Sequence, residues 1–213
     1  RIIPLLGIGN KNPLSKVLCD LIAATRHQLT LCTPYFNMPL VVKREINRAL
    51  KRGVRVDIII GDKTANDFFI DPDEPFKVIS ALPYLYEISL RRFMQKHQAA
   101  IARHQLNIHL WKDGDNTYHL KGLWSDERYT LLTGNNLNPR AFQLDLENAV
   151  LIDDPKGEWL KPRAQEIELL MRNTHRVGKF DELDTLSEYP LGVRTFLRRV
   201  SRVRVERLLY RIL

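Results

Sequence analysis

Tyr118-His119-Leu120-Lys121-Gly122-Leu123-Trp124-Ser125-Asp126, followed by Glu127-Arg128 and an apolar run ending in Thr133-Gly134-Asn135-Asn136, is the stretch on which the rest of the chain depends. Its aromatic and aliphatic residues favour a strand, where side chains alternate between faces with period two. His119 and Lys121 are therefore expected on one face. An imidazole beside a fixed ammonium suits phosphoryl chemistry, the histidine attacking or moving protons and the lysine neutralising phosphoryl oxygens. A histidine and a lysine so placed are, by themselves, most often a solvated edge. Ser125-Asp126-Glu127-Arg128 is expected to turn a hairpin, with Tyr129 to Leu132 returning and carrying Asn136 back towards His119. Taken alone, Asp126 is a turn residue, because its short carboxylate bonds nearby backbone.

His119, Lys121, Asp126 and Asn136, with Thr133-Gly134 two places before the last, resemble the HxKxxxxD(x)6GSxN signature of the phospholipase D superfamily. The spacing matches, while Thr133-Gly134 replaces a Gly-Ser pair whose hydroxyl helps hold phosphate in the family. Glu147 falls where the family has a carboxylate that orients a histidine across the site. The resemblance implies a catalytic set of His119, Lys121, Asp126, Asn136 and Glu147, with Asp126 as structural support. Lys121 and Asn136 would hold phosphoryl oxygens, Asn138 would contact substrate, and Tyr35 and Arg140 would line the site. It also implies a phosphohistidine intermediate, no metal and no cofactor. Whether His119 is nucleophile or general acid/base stays open, with a lean to the latter.

Upstream, Leu14, Val17, Leu18, Leu21 and Ile22 recur at helical spacing and predict an amphipathic helix over 13–25. Residues 28–35 predict a strand, 40–52 a helix closed by Gly53, and 54–60 another strand. Strands alternating with helices predict a largely parallel sheet. The Thr33-Pro34-Tyr35-Phe36 loop and Arg52-Gly53-Val54 extend the resemblance to about residues 13–173. The expected fold class is α/β, a phospholipase D-like half with a mixed, mostly parallel sheet flanked by helices. Residues 61–75, with Asp67, Asp71, Asp73 and Glu74, are taken as a solvated loop rather than a metal site. A helix is expected over 83–106, with His97 and His104 as surface histidines on one face, then a strand at 107–111. A strand at 149–152, a helix at 156–172 and an acidic connector at 180–190 complete a domain over residues 1–190, followed by a basic helix over 191–213.

Residues 191–213 carry seven arginines against Glu206, interleaved with apolar residues. Three roles compete: an amphipathic helix on an anionic membrane surface, a helix packed on its own domain with a solvated basic face, and a contact to nucleic-acid phosphates, which ranks last. The net charge of +8 demands a polyanionic partner but does not choose among them. No apolar run approaches the roughly 20 residues of a membrane span. Cys19 and Cys32 lie in apolar stretches, as quiet core residues in a reducing cytoplasm do. The chain starts at Arg1 rather than at a methionine, as a piece of a longer protein would.

Within the superfamily, residues 118–148 and the arginine-rich tail resemble the C-terminal half of the Gram-negative bacterial phosphatidylserine synthase family. That resemblance implies transfer of a phosphatidyl group from CDP-diacylglycerol to L-serine with release of CMP, in the cytoplasm and peripheral to the inner membrane. Two HxK halves are needed, yet His27, His97, His104, His109 and His175 are not followed two places on by lysine. The second half is expected from an upstream segment or a symmetric partner. A nuclease, a cardiolipin-type synthase or a non-catalytic membrane-docking half are the alternatives.

Overall fold

Eight strands form one sheet: β1 (Ile2–Gly7), β2 (Gln28–Thr33), β3 (Arg55–Gly61), β4 (Leu106–Trp111), β5 (Gly122–Ser125), β6 (Tyr129–Thr133), β7 (Glu147–Asp153) and β8 (Thr174–Val177), in the order β1-β7-β6-β5-β2-β3-β4-β8. The helices are α1 (Pro13–Ala24), α2 (Leu40–Lys51), α3 (Leu82–Ala102), α4 (Pro139–Gln143), α5 (Leu160–Arg172) and α6 (Leu191–Arg202). This is a computed structural model, and it describes residues 1–9 and 12–202. Period-two alternation divides the central strands between two helical layers. Leu29 and Leu31, Val56, Ile58 and Ile60, and Ile108 join Leu18 and Ile22 of α1, Ile46 of α2 and Met94 of α3 in the main core. Cys32, Ile59 and Trp124 point the other way, with Ile167, Leu170 and Met171 of α5 packed on them.

The α/β class with helices on both faces of one sheet stands, but the largely parallel sheet is corrected. Only β2–β3 and β3–β4 pair in parallel, and the other five pairings are antiparallel. α2 and α3 carry the crossovers between the neighbouring strands β2, β3 and β4, whereas α1 and α5 link strands that are not neighbours in the sheet; β5, β6 and β7 follow one another as antiparallel neighbours, β5 and β6 through a tight hairpin. Three elements lay outside the sequence expectation: β1, which pairs with β7; β8, which pairs with β4; and α4. α3 ends at Ala102, so His104, with φ 55°, sits beyond the helix and does not share a face with His97. The helix expected from residue 156 begins at Leu160.

α6 packs Val193 and Leu197 on Tyr84 and Leu85 at the start of α3, while Arg198, Arg199 and Arg202 stay exposed. The packed-helix reading therefore holds for that stripe. The remainder of the tail expectation, residues 203–213, lies outside the described residues.

Candidate active site

Strand register gathers most of the residues singled out in the sequence at one edge of the sheet. The parallel strands β2 and β3 end there at Thr33 and Gly61. β5 starts beside the end of β2, since Cys32 pairs with Gly122, and β6 ends beside the start of β5, since Leu132 pairs with Gly122. β7 begins at the same edge, with Ala149 opposite Thr133. His119 and Lys121 just before β5, Asn136 just after β6, and Glu147 at the start of β7 thus converge. The carboxyl ends of parallel strands are where open α/β sheets take their ligands.

His119 and Lys121 are not strand residues, as expected from the pattern, but lie in the extended segment that enters β5 at Gly122. That leaves the His119 ring free of the pleat and half-exposed. Its Nε2 lies 2.8 Å from Oδ1 of Asp67, and Oδ2 of Asp67 accepts the Tyr35 hydroxyl at 2.9 Å. Burial disfavours the Asp67 carboxylate, but the bonds from His119 and Tyr35 outweigh it and hold its pKa below the usual value. An ionised carboxylate only accepts, so the proton of this bond belongs to Nε2. Burial, and then the bond to Asp67, pushes the Tyr35 phenol up, which keeps it a donor. The Tyr35 ring stacks on Tyr86 at 5.2 Å.

Lys121 donates to the His119 carbonyl at 2.7 Å. Burial pulls its pKa down against the nearby charges of Glu147 and Asp67. Burial and then the charge of Asp145 push Glu147 up, with Lys121 opposing. For both groups desolvation outweighs their mutual attraction. Glu147 reaches over Gly134: a Cβ there would stand 2.9 Å from its Oε2. The residue that replaces the family's serine thus leaves room for a carboxylate.

The Thr133–Asn138 turn is braced internally. Thr133 Oγ1 donates to the Asn148 carbonyl and accepts the Asn135 N–H, while Asn135 Oδ1 accepts the Leu137 N–H at 2.8 Å and Leu137 takes φ 51°. Thr33 Oγ1 bonds the Asn136 carbonyl at 2.7 Å and ties the turn to the end of β2. Asn136 Oδ1 is buried with no hydrogen-bond partner, an unmet acceptor in the cluster.

One expected site residue is placed elsewhere. Asp126 lies at the opposite edge, beyond the 4 residues of β5, about 16 Å from Lys121 at roughly 3.3 Å per residue. There it takes φ 49° and accepts the backbone N–H groups of Arg26, His27 and Gln28 at 2.8–3.0 Å. Its carboxylate is taken up by those three donors, the turn and structural-support role read from its residue type. Asn138 caps α4, its Oδ1 accepting the Ala141 N–H at 2.8 Å. Arg140 pairs with Asp145 at 3.0 Å. Asp67, set aside in the sequence as a solvated loop residue, is the partner of His119. The signal available was its place six residues beyond the end of a central parallel strand.

Residues 18–171 match the family model described as "Cardiolipin synthase, PLD-like domain". The chain is 51% identical over 210 residues to the CDP-diacylglycerol–serine O-phosphatidyltransferase PssA of Escherichia coli, an alignment covering 99% of this chain and 47% of that protein. It superposes on the crystal structure of phosphatidylserine synthase from Haemophilus influenzae with a TM-score of 0.97 at 47% identity, over 100% of this chain and 48% of that one. The chain spans about half the length of the curated relatives it matches. A phospholipase D family member, Nuc from Salmonella typhimurium, shares the fold with a TM-score of 0.56 at 14% identity.

Proposed function

The chain belongs to the phospholipase D-like family, and from that premise we propose that it is one catalytic half of a phosphatidyltransferase that moves a phosphatidyl group from CDP-diacylglycerol to L-serine and releases CMP. The observation that carries the reading is the His119–Asp67 pair with Lys121 beside it, at the sheet edge where relatives with this activity align along the whole chain. One histidine of a pair attacks the phosphorus of the diphosphate linkage, and the bond to the CMP oxygen breaks as the other histidine protonates it. The serine hydroxyl, deprotonated in turn, attacks the phosphohistidine and frees the ring. His119 fills one of these roles, with its Nε2–H held by Asp67. Lys121 and Asn136 hold phosphoryl oxygens, where charge-assisted donors in a site closed to water are strongest. Glu147 stands ready across the site for the second histidine.

That second histidine comes with a second HxK half, supplied by a further segment or a second copy. The outer face of β1, β7 and β6, where Ile2, Leu6, Val150 and Leu132 are exposed, adjoins the site at Thr133 and Asn148 and is the apolar surface such a half would cover. The membrane reading draws support from α6. Phe76, Val78, Ile79 and Leu191 are all more than 40% exposed, and Phe76 packs on Phe196 of the same helix that carries Arg198, Arg199 and Arg202. Cations ringing exposed apolar residues suit an anionic bilayer surface, peripheral to the inner membrane on its cytoplasmic side. No helix among the described residues is long and apolar enough to cross a membrane.

The test is CMP release from CDP-diacylglycerol in mixed micelles, with and without serine, by the full-length polypeptide and its His119→Ala variant. Serine-dependent release lost in the variant is expected. No release from folded wild type, or release that survives His119→Ala, overturns the reading, and cleavage of DNA in its place would turn it to nuclease chemistry.

A further inference from the structure

The active-site edge continues into a groove between α2 and α3 of about 520 Å³, bordered by Asn37 and Pro139, which stand close in the chain to Tyr35 and Asn136. Its lining includes four cations, Lys43, Arg44, Arg92 and Lys96, together with His97, and none of the lining residues is acidic. Among the described residues, Lys43, Arg44 and Lys96 form no ion pair. Burial and then the charge of Lys96 hold the Lys43 ammonium below its usual pKa. Like charges are thus brought together from two helices without a counter-charge, and a bound anion relieves their repulsion. One turn beyond Lys43, Asn47 Oδ1 is sealed from water with no hydrogen-bond partner. A buried acceptor left so is costly, and a ligand O–H or N–H removes the penalty. The His97 ring lies on Phe93, centroids 4.5 Å apart, as a flat wall of the groove.

These features together ask for a ligand that carries a phosphate and also hydrogen-bond donors. We propose that the α2–α3 groove is a nucleotide subsite, in which Lys43, Arg44 and Lys96 bind the phosphate of a nucleoside monophosphate. The inference rests on the reaction proposed above, where the nucleotide is the leaving half of the substrate. The phosphate of a lipid headgroup shares the anionic chemistry, and the arms of the test separate the two.

The experiment is titration calorimetry on the full-length polypeptide carrying His119→Ala, which prevents turnover, with CMP, inorganic phosphate and a short-chain phosphatidylglycerol below its micelle concentration. CMP is expected to bind more tightly than inorganic phosphate, and more weakly as ionic strength rises. Lys96→Glu and Arg44→Glu, both at exposed positions, should each weaken CMP binding by about tenfold or more, as loss of a charge-assisted contact does. Circular dichroism and Tm verify that both variants fold. Absence of CMP binding, CMP binding indifferent to both reversals, or charge-sensitive binding of the lipid alone overturns the proposal. CMP binding sensitive to Lys96 in a protein without serine-dependent turnover leaves the groove standing and removes the reaction. Turnover with charge-insensitive CMP binding does the reverse.

Discussion

Two aspartates show how differently one residue type is used. Asp67 faces His119 and Tyr35, whereas Asp126 faces only backbone N–H groups. Asp67→Asn keeps the shape but removes the anion that fixes the proton on Nε2, and should lower kcat on the order of 10²-fold with little change in Tm, measured by CMP release and calorimetry. Asp126→Asn should do the opposite, lowering stability by about 1–3 kcal/mol while turnover stays near wild type. The pH dependence has a definite sign. Burial raises the Asp126 pKa, but the bonds from Gln28, Arg26 and His27 outweigh it, so the folded value lies below the unfolded one. Its contribution is complete above the unfolded pKa of about 3.9 and is lost as pH falls through the lower folded value. The Tm difference between wild type and Asp126→Asn should therefore shrink below about pH 4. The turn role of Asp126 was legible from its residue type, since a short carboxylate after a strand bonds backbone. The role of Asp67 was not, because its partner is 52 positions away.

At the scale of elements, local chemistry set the boundaries that could be anticipated. α1 starts where Asn12 accepts the Ser15 N–H at 3.0 Å and Pro13 fills the first turn. The β5–β6 hairpin forms as its turn residues predict, with Ser125 opposite Tyr129. β1 carries no local signal, because its six residues show no alternation and its burial comes from β7 and α1. Gly7 at its end is where that packing is tightest: a Cβ would stand 1.9 Å from Asn12 Oδ1 and 2.8 Å from Leu14 Cβ. Gly7→Ala must therefore displace the cap of α1. It should lower stability by roughly 1–3 kcal/mol, seen in urea unfolding as a lower midpoint with unchanged m. The apolar neighbours of HxK favour a strand, yet pairing starts only at Gly122. A strand that began at His119 would bind the ring into the pleat.

For the whole molecule, the charge of +8 becomes meaningful once its placement is known. Part of it lines the α2–α3 groove and part of it covers the exposed side of α6. Replacing Arg198, Arg199 and Arg202 by glutamine should weaken binding to vesicles rich in phosphatidylglycerol by about 1 kcal/mol per arginine, with less effect at high salt, as vesicle co-sedimentation would measure. The amino-acid sequence by itself determined the alternation of α1, β2, α2 and β3, the hairpin at Asp126 and the spacing of His119, Lys121 and Asn136, because each depends on residues close along the chain. Only the tertiary structure decided that the sheet is mostly antiparallel, that Asp67 and Tyr35 hold His119, and that the carboxylate of Asp126 reaches across to Arg26, His27 and Gln28. Each of these depends on which distant strand ends meet at one edge of the sheet, and the pairing of edges is a property of the assembled core rather than of any single segment.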